Sequence, residues 1–147
     1  IYRALLESSA FGTRIIVENF IRHGVPVNDI VAVGGISHRS GLLMQIYADV
    51  VGVPVNVLDS TEIPARGSAV FGAVAASGGC PGDIEQWGRR LAPKVIKTYV
   101  PNPKARAIYD RIYRHYETLY EFFGRTRMDI MHDLKTWQTA YRTENGL

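Results

Sequence analysis

Between positions 31 and 57 the sequence reads VAVGGISHRSGLLMQIYADVVGVPVNV. A short β-branched run is followed by a Gly-Gly pair, an amphipathic stretch and a second β-branched run. That order predicts one βαβ unit, because a helical crossover returns the chain to lie parallel to the strand it left. A chain built around it is committed to an α/β fold, with a ligand-sized turn at the carboxyl end of its first strand. Residues 30–33 are continuously apolar rather than alternating, which predicts a strand covered on both faces. The helix is expected over about 40–50, with Leu43, Met44, Ile46, Tyr47 and Val50 as its apolar stripe. Gly52 stops it and Pro54 enforces the exit, leaving Val55, Val57 and Leu58 as the second strand.

The flanking segments look built to cover this unit. Residues 2–22 place Leu5, Leu6, Ala10, Phe11, Val17, Phe20 and Ile21 on one helical face. Gly24 is a natural stop and Pro26 prevents continuation. After the second strand, Ser60 or Thr61 is expected to cap a helix that carries Glu62 and Pro64 in its first turn. Its body is nearly all small residues, from Ala65 to Ala76, so a close approach to a neighbouring backbone is expected. Residues 80–93 read as a Gly- and Pro-punctuated connection anchored by Trp87, and 94–100 as a short extended piece. Asn102-Pro103 is a strong helix start. The helix should run to about Phe123, with Ile108, Ile112, Tyr116, Leu119 and Phe123 as its stripe and Tyr109, Tyr113 and Tyr120 beside it. Gly124 is expected to end it. A last helix is expected over 128–137, with TENGL frayed at the end.

Composition narrows the class. The chain has 147 residues, 46% hydrophobic and 21% charged, which are globular values. A net charge of +3, with both signs interleaved, is too mild to imply nucleic acid. The single cysteine, Cys80, excludes an internal disulfide and an all-cysteine zinc site, and a reducing cytoplasm fits best. No apolar run reaches the roughly 20 residues needed to span a bilayer. Ile1 is not a start methionine and opens inside a helical pattern, as expected of a piece of a longer protein.

The Gly34-Gly35 turn is the first candidate for chemistry. Ligands of parallel α/β sheets bind beyond the carboxyl ends of strands, beside the amino termini of the helices that follow. Two glycines remove the Cβ atoms that would hold a ligand off the backbone. Ser37, His38, Arg39 and Ser40 supply a hydroxyl, an imidazole, a guanidinium and a second hydroxyl there. The turn is neither a phosphate-binding Walker loop nor the GxGxxG fingerprint. Gln45 and Asp49, four residues apart, either reach a site or brace a helix surface or loop. Arg66 faces a phosphate or solvent. His23, His115 and His132 lack ligand spacing, and Cys80 has no basic or His neighbour in sequence, so no metal ligands and no catalytic residue are assigned. The tyrosine-rich stripe is packing or a docking face.

With those residues in view, VAVGGISHRSGLLMQIYADVVGVPV followed by STEIPARGSAVFGAVAASG resembles the carboxyl-terminal signature of the FGGY carbohydrate kinases. Together with YRALLESSAFGTRIIVENF upstream, the wording is most like the branch acting on L-ribulose. The resemblance implies part of an actin/hexokinase-like (ribonuclease H-like) ATPase lobe: short parallel strands flanked by helices, with a helical carboxyl-terminal extension. It implies ATP and Mg2+ as cofactors, and phosphoryl transfer to a sugar bound by an amino-terminal lobe. Gly34 and Gly35 match the family's adenosine-binding turn. Ser40 matches the residue, often Asn, that contacts adenine or ribose. Arg66 stands where the family's small-residue helix has Leu. The family's general base precedes this segment, and so do three further strands of the lobe. Residues 1–79 are then the nucleotide-binding part and 80–147 a connection and helical extension. An exposed sheet edge would favour self-association. Other sugars or polyols, such as xylulose or glycerol, and a non-catalytic actin-like interaction module remain as alternatives.

Overall fold

The computed structural model describes residues 1–80 and 82–146. They form two compact units, 1–106 and 107–147.

The first unit is built on the βαβ passage. β1 (Ile30–Ala32) and β2 (Val55–Leu58) pair in parallel, Ile30 opposite Val55 and Ala32 opposite Val57. Between them the chain makes two helices rather than one. α2 (Gly35–Arg39) is a single short turn, and α3 (Gly41–Val51) is the crossover. Met44 and Ala48 of α3 pack on Val55 and Val57, with Ile30, Ala32, Leu43, Tyr47 and Tyr99 around them. Gly52 ends α3 in the left-handed conformation at φ +82°. A Cβ built there would collide with the Arg106 guanidinium, which therefore lies against bare backbone at the carboxyl end of α3.

α1 (Tyr2–Arg22) packs on α3. It ends in a Schellman arrangement, with Val25 N–H donating to the Phe20 carbonyl and Gly24 N–H to that of Ile21. Ala10, Phe11, Arg14 and Val17 are its buried residues, whereas Leu5, Phe20 and Ile21, expected on the same packed face, are exposed. A helix of 11 residues can cover only the middle of one of 21. Arg14, though charged, is buried because its Nη1 donates to the Val50 carbonyl at 3.2 Å and its Nε to Glu18 at 2.8 Å.

Three further expectations for this unit are corrected. β1 is not covered on both faces: Ile30 and Ala32 face the α3 cluster, whereas Val31, on the opposite face, is half-exposed. The small-residue helix α4 (Ile63–Ala76) buries none of its residues, and Cβ atoms at Gly67 or Gly72 would meet open space, so among the described residues nothing comes close to these two glycines. Neither Ser60 nor Thr61 caps it. Glu62 holds the cap position, Pro64 lies within the first two helical positions, and the Ser60 hydroxyl accepts from the Glu62 N–H at 3.2 Å. The connection over 80–93 contains a helix, α5 (Asp83–Leu91), which packs on α4. Its Trp87 is half-buried, with the Arg90 guanidinium 4.7 Å above the ring.

β3 (Val95–Tyr99) joins β2 antiparallel, so the sheet is mixed, in the order β1-β2-β3. A side-chain chain crosses it: Thr98 Oγ1 donates to Asn56, and Asn56 Nδ2 to Asp29. The chain then turns into α6 (Pro103–Glu121), where Asn102 Oδ1 accepts from the Lys104 and Ala105 N–H groups. Asp49 is buried and fastens this corner. It accepts from the Asn102 N–H at 2.7 Å and from Gln45 at 2.8 Å, while Gln45 also donates to the Val100 carbonyl. The Gln45–Asp49 pair thus braces a loop.

The second unit holds the rest of α6, a π-helical turn (Phe122–Thr126) and α7 (Met128–Asn145). The expected stripe of α6 is reversed. Tyr109 and Tyr113 are buried, whereas Ile108, Ile112 and Leu119 are exposed. The two sets lie one residue apart, about 100° around the helix, and periodicity defines both faces equally well. Gly124 does not stop the chain, since the π turn runs through it. α7 continues well past Trp137 and includes most of the segment expected to fray, ending at Gly146 in the left-handed conformation. Thr136, Thr139 and Thr143 each donate to the carbonyl four residues back.

Candidate functional site

The carboxyl end of β1 opens into the glycine turn. Gly34 has φ +88° and ψ 174°, a combination that residues with a Cβ essentially never adopt. It is the cap residue of α2, and Gly35 is the first residue of that helix. The Ser37 side chain is buried and its hydroxyl donates to the Gly34 carbonyl at 2.7 Å. Ser37 therefore pins the turn from within and does not face solvent. His38 and Arg39 are exposed. A Cβ added at Gly34 or Gly35 would meet nothing within 4 Å, so no side chain among the described residues plugs the corner.

Ser40 lies between the two short helices. Its hydroxyl oxygen accepts from the Leu43 N–H at 3.3 Å, which makes it the cap of α3, and its own N–H donates to the Ile36 carbonyl. The sequence placed Ser40 at the start of the helix that follows the turn. The intervening turn of α2 separates it from Gly35 by one more helical step.

β2 ends at the same edge. The parallel register sets Ala32 opposite Val57, so two residues further on Gly34 and Asp59 leave neighbouring strands on the same side. Asp59 is partly exposed. Its N–H donates to the Lys94 carbonyl, and its carboxylate has Arg66 at 3.9 Å as its ion-pair partner. Arg66 is itself held by donating from Nη1 to the Leu91 carbonyl at 3.2 Å, at the end of α5. Asp59 escaped the sequence reading, although its position just past the second strand of a βαβ unit was a usable signal.

The other candidates do not gather. His23 Nδ1 lies 2.8 Å from the Asn19 carbonyl, within its own helix end. Among the described residues no three His, Cys, Asp or Glu side chains come together as a metal site. Cys80 is exposed, and its N–H donates to Asp83. A shallow concavity of about 600 Å³ lies along α5, lined by Gly82, Glu85, Gln86, Arg89 and Arg90, with no residue of the turn in its wall. No helix among the described residues is long and apolar enough to cross a membrane.

Residues 1–76 match the C-terminal domain of the FGGY family of carbohydrate kinases. The chain belongs to that family. Relatives of similar sequence include the ribulokinase of Anoxybacillus flavithermus, 42% identical over 97% of this chain and 26% of its own length. The ribulokinase of Halalkalibacterium halodurans is 40% identical over 100% of this chain and 26% of its own. Among solved structures, a xylulose kinase from Rhodospirillum rubrum superimposes with a TM-score of 0.66 at 28% identity, over 84% of this chain and 24% of its own. The chain thus spans about a quarter of the length of these FGGY relatives. The family match stops at the end of α4, whereas the two ribulokinase matches extend over nearly all of the chain, α5 to α7 included.

Proposed function

We propose that this chain is the adenosine-binding portion of an ATP-dependent sugar kinase that converts L-ribulose and ATP to L-ribulose 5-phosphate and ADP. The observation that carries the reading is the open Gly34-Gly35 corner at the carboxyl end of β1. A purine nucleoside can lie there against main chain, because neither residue has a side chain to hold it off. Ser40 is the third contact in this reading, through the hydroxyl hydrogen left over after its oxygen caps α3. The choice of ribulose rests on the names of relatives that match nearly the whole chain.

Residues 1–79 form the nucleotide-binding part, and 80–147 the connection and helical extension. The sugar is held by a lobe outside this chain, and so is the general base. Mg2+ accompanies the nucleotide, but the described residues offer it no cluster of three or more His, Cys, Asp or Glu ligands, and no step is assigned to it on this chain. The working place of such an enzyme is the cytoplasm, where ATP is supplied. Phosphoryl transfer depends on positioning and on electrostatic stabilisation by metal and donors. One strand-turn-helix cannot provide these, so the purified chain is expected to show no phosphorylation of ribulose.

Calorimetric titration with ADP tests the reading. Weak but measurable affinity is expected, and Gly35→Val should abolish it while leaving the melting temperature unchanged, since the new side chain enters open space. Equal heats from the wild type and the variant would overturn the assignment.

A further inference from the structure

We propose that Asp59 accepts the ribose hydroxyls of the bound nucleotide and that Arg66 is the residue that positions it. The proposal rests on the adenosine-binding reading of the Gly34-Gly35 corner and extends it to the neighbouring strand.

Three observations carry it. The first is placement. Ala32 pairs with Val57 in the parallel register, so Gly34 and Asp59 leave adjacent strands at the same edge. Adjacent strands lie about 4.8 Å apart, which is well within the span of a nucleoside. A nucleoside whose base rests on the glycine turn has its sugar within reach of the next strand's end. Dinucleotide-binding βαβ units, whose glycine turn holds the pyrophosphate instead, offer a parallel for the chemistry: an acidic residue further along the chain takes the ribose 2′-hydroxyl.

The second is chemistry. An ionised carboxylate only accepts hydrogen bonds, and two vicinal hydroxyls are two donors. The neighbouring hydroxyls each make one hydrogen bond, Ser60 accepting from the Glu62 N–H and Thr61 donating to the Glu62 carboxylate, and a carboxylate is a stronger acceptor than either. Asp59 engages Arg66 only at 3.9 Å, beyond hydrogen-bonding distance, so its oxygens retain their capacity to accept.

The third is the anchoring of Arg66. Its Nη1 is tied to the Leu91 carbonyl, so the guanidinium stands beside Asp59 with its position fixed from α5. This gives a role to a charge set in a helix of small residues. Arg66 limits the swing of the carboxylate, without touching the sugar.

The test compares ADP with 2′,3′-dideoxy-ADP on the 147-residue chain, using NMR-detected titration so that weak binding is measured. A hydrogen bond to a charged group should give the wild type about a tenfold preference for ADP. Asp59→Ala should bring the two ligands within about twofold of each other, mainly by weakening ADP. Arg66→Ala should shrink the preference partly, and Arg66→Lys should restore some of it. Asp59 is exposed enough that its loss should leave the melting temperature in place. If Asp59→Ala keeps the tenfold ratio while Gly35→Val abolishes ADP binding, the ribose assignment falls and the adenosine corner stands. If the wild type binds neither ligand, both fall together.

Discussion

Gly34 and Gly52 are both glycines at positive φ, yet they answer to different needs. Gly34 faces open space, so Gly34→Ala should cost only the backbone strain, about 1–3 kcal/mol in chemical denaturation. Gly52 lies instead in the left-handed helical region, which a Cβ tolerates better than the Gly34 conformation, and has the Arg106 guanidinium against its backbone. The guanidinium is the end of a flexible chain and can move. Gly52→Ala is therefore expected to cost about 1–2 kcal/mol in wild type and less when Arg106 is already truncated to Ala. Equal costs in the two backgrounds would show that Arg106 plays no part. Both glycines were legible as punctuation in the sequence. The guanidinium beside Gly52 was not, because it arrives from a residue far along the chain. Arg14 was missed for the same reason: its partner, the Val50 carbonyl, exists only once α1 lies on α3.

At the level of elements, one carboxylate does the joining. Asp49 on α3 accepts from Gln45 and from the Asn102 N–H, fixing the passage from β3 into α6. Asp49→Ala should cost about 2 kcal/mol, since the part-buried Asn102 N–H then loses a carboxylate acceptor, and hydrogen exchange at Asn102 should rise with it. At the start of α7, Asp129 accepts from Arg127, and those hydrogen bonds hold its carboxyl below the usual carboxylate range. A depressed folded-state pKa adds stability above the unfolded pKa, and that stability is lost as pH falls through the lower folded value. Helicity of the last segment should therefore fall on acidification, and Asp129→Asn should flatten the response. The pair is fully exposed, so the change should be local.

The strongly periodic elements, α1, α3 and α6, were readable because their patterns are long. α5 was hidden by Gly82, Gly88 and Pro93, although Ile84, Trp87 and Leu91 carried a helical spacing. The packed face of α6 was ambiguous because two apolar stripes run side by side. The antiparallel set of β3 leaves no trace in a run of five residues.

The whole chain leaves much apolar surface uncovered. Phe20, Ile21 and Val31 in the first unit, and Leu119, Met131, Leu134 and Trp137 in the second, are about half-exposed or more. Unpartnered apolar area of this kind drives association. Sedimentation velocity is expected to show a weight-average mass that rises with concentration, and a constant monomer mass would contradict it. Of the candidate site, the glycine turn was visible in the sequence because two adjacent glycines after a strand are rare and local. Asp59 was passed over because only strand register sets it beside Gly34, although its place just past the second strand was a signal. The Ser37 hydroxyl already locks the Gly34 carbonyl in place within the chain itself. On the proposed adenosine-binding reading, an arriving nucleotide would meet a receptacle whose shape is settled beforehand. Its capture should then follow a single collisional step, with an observed rate that climbs linearly with ligand concentration and shows no plateau.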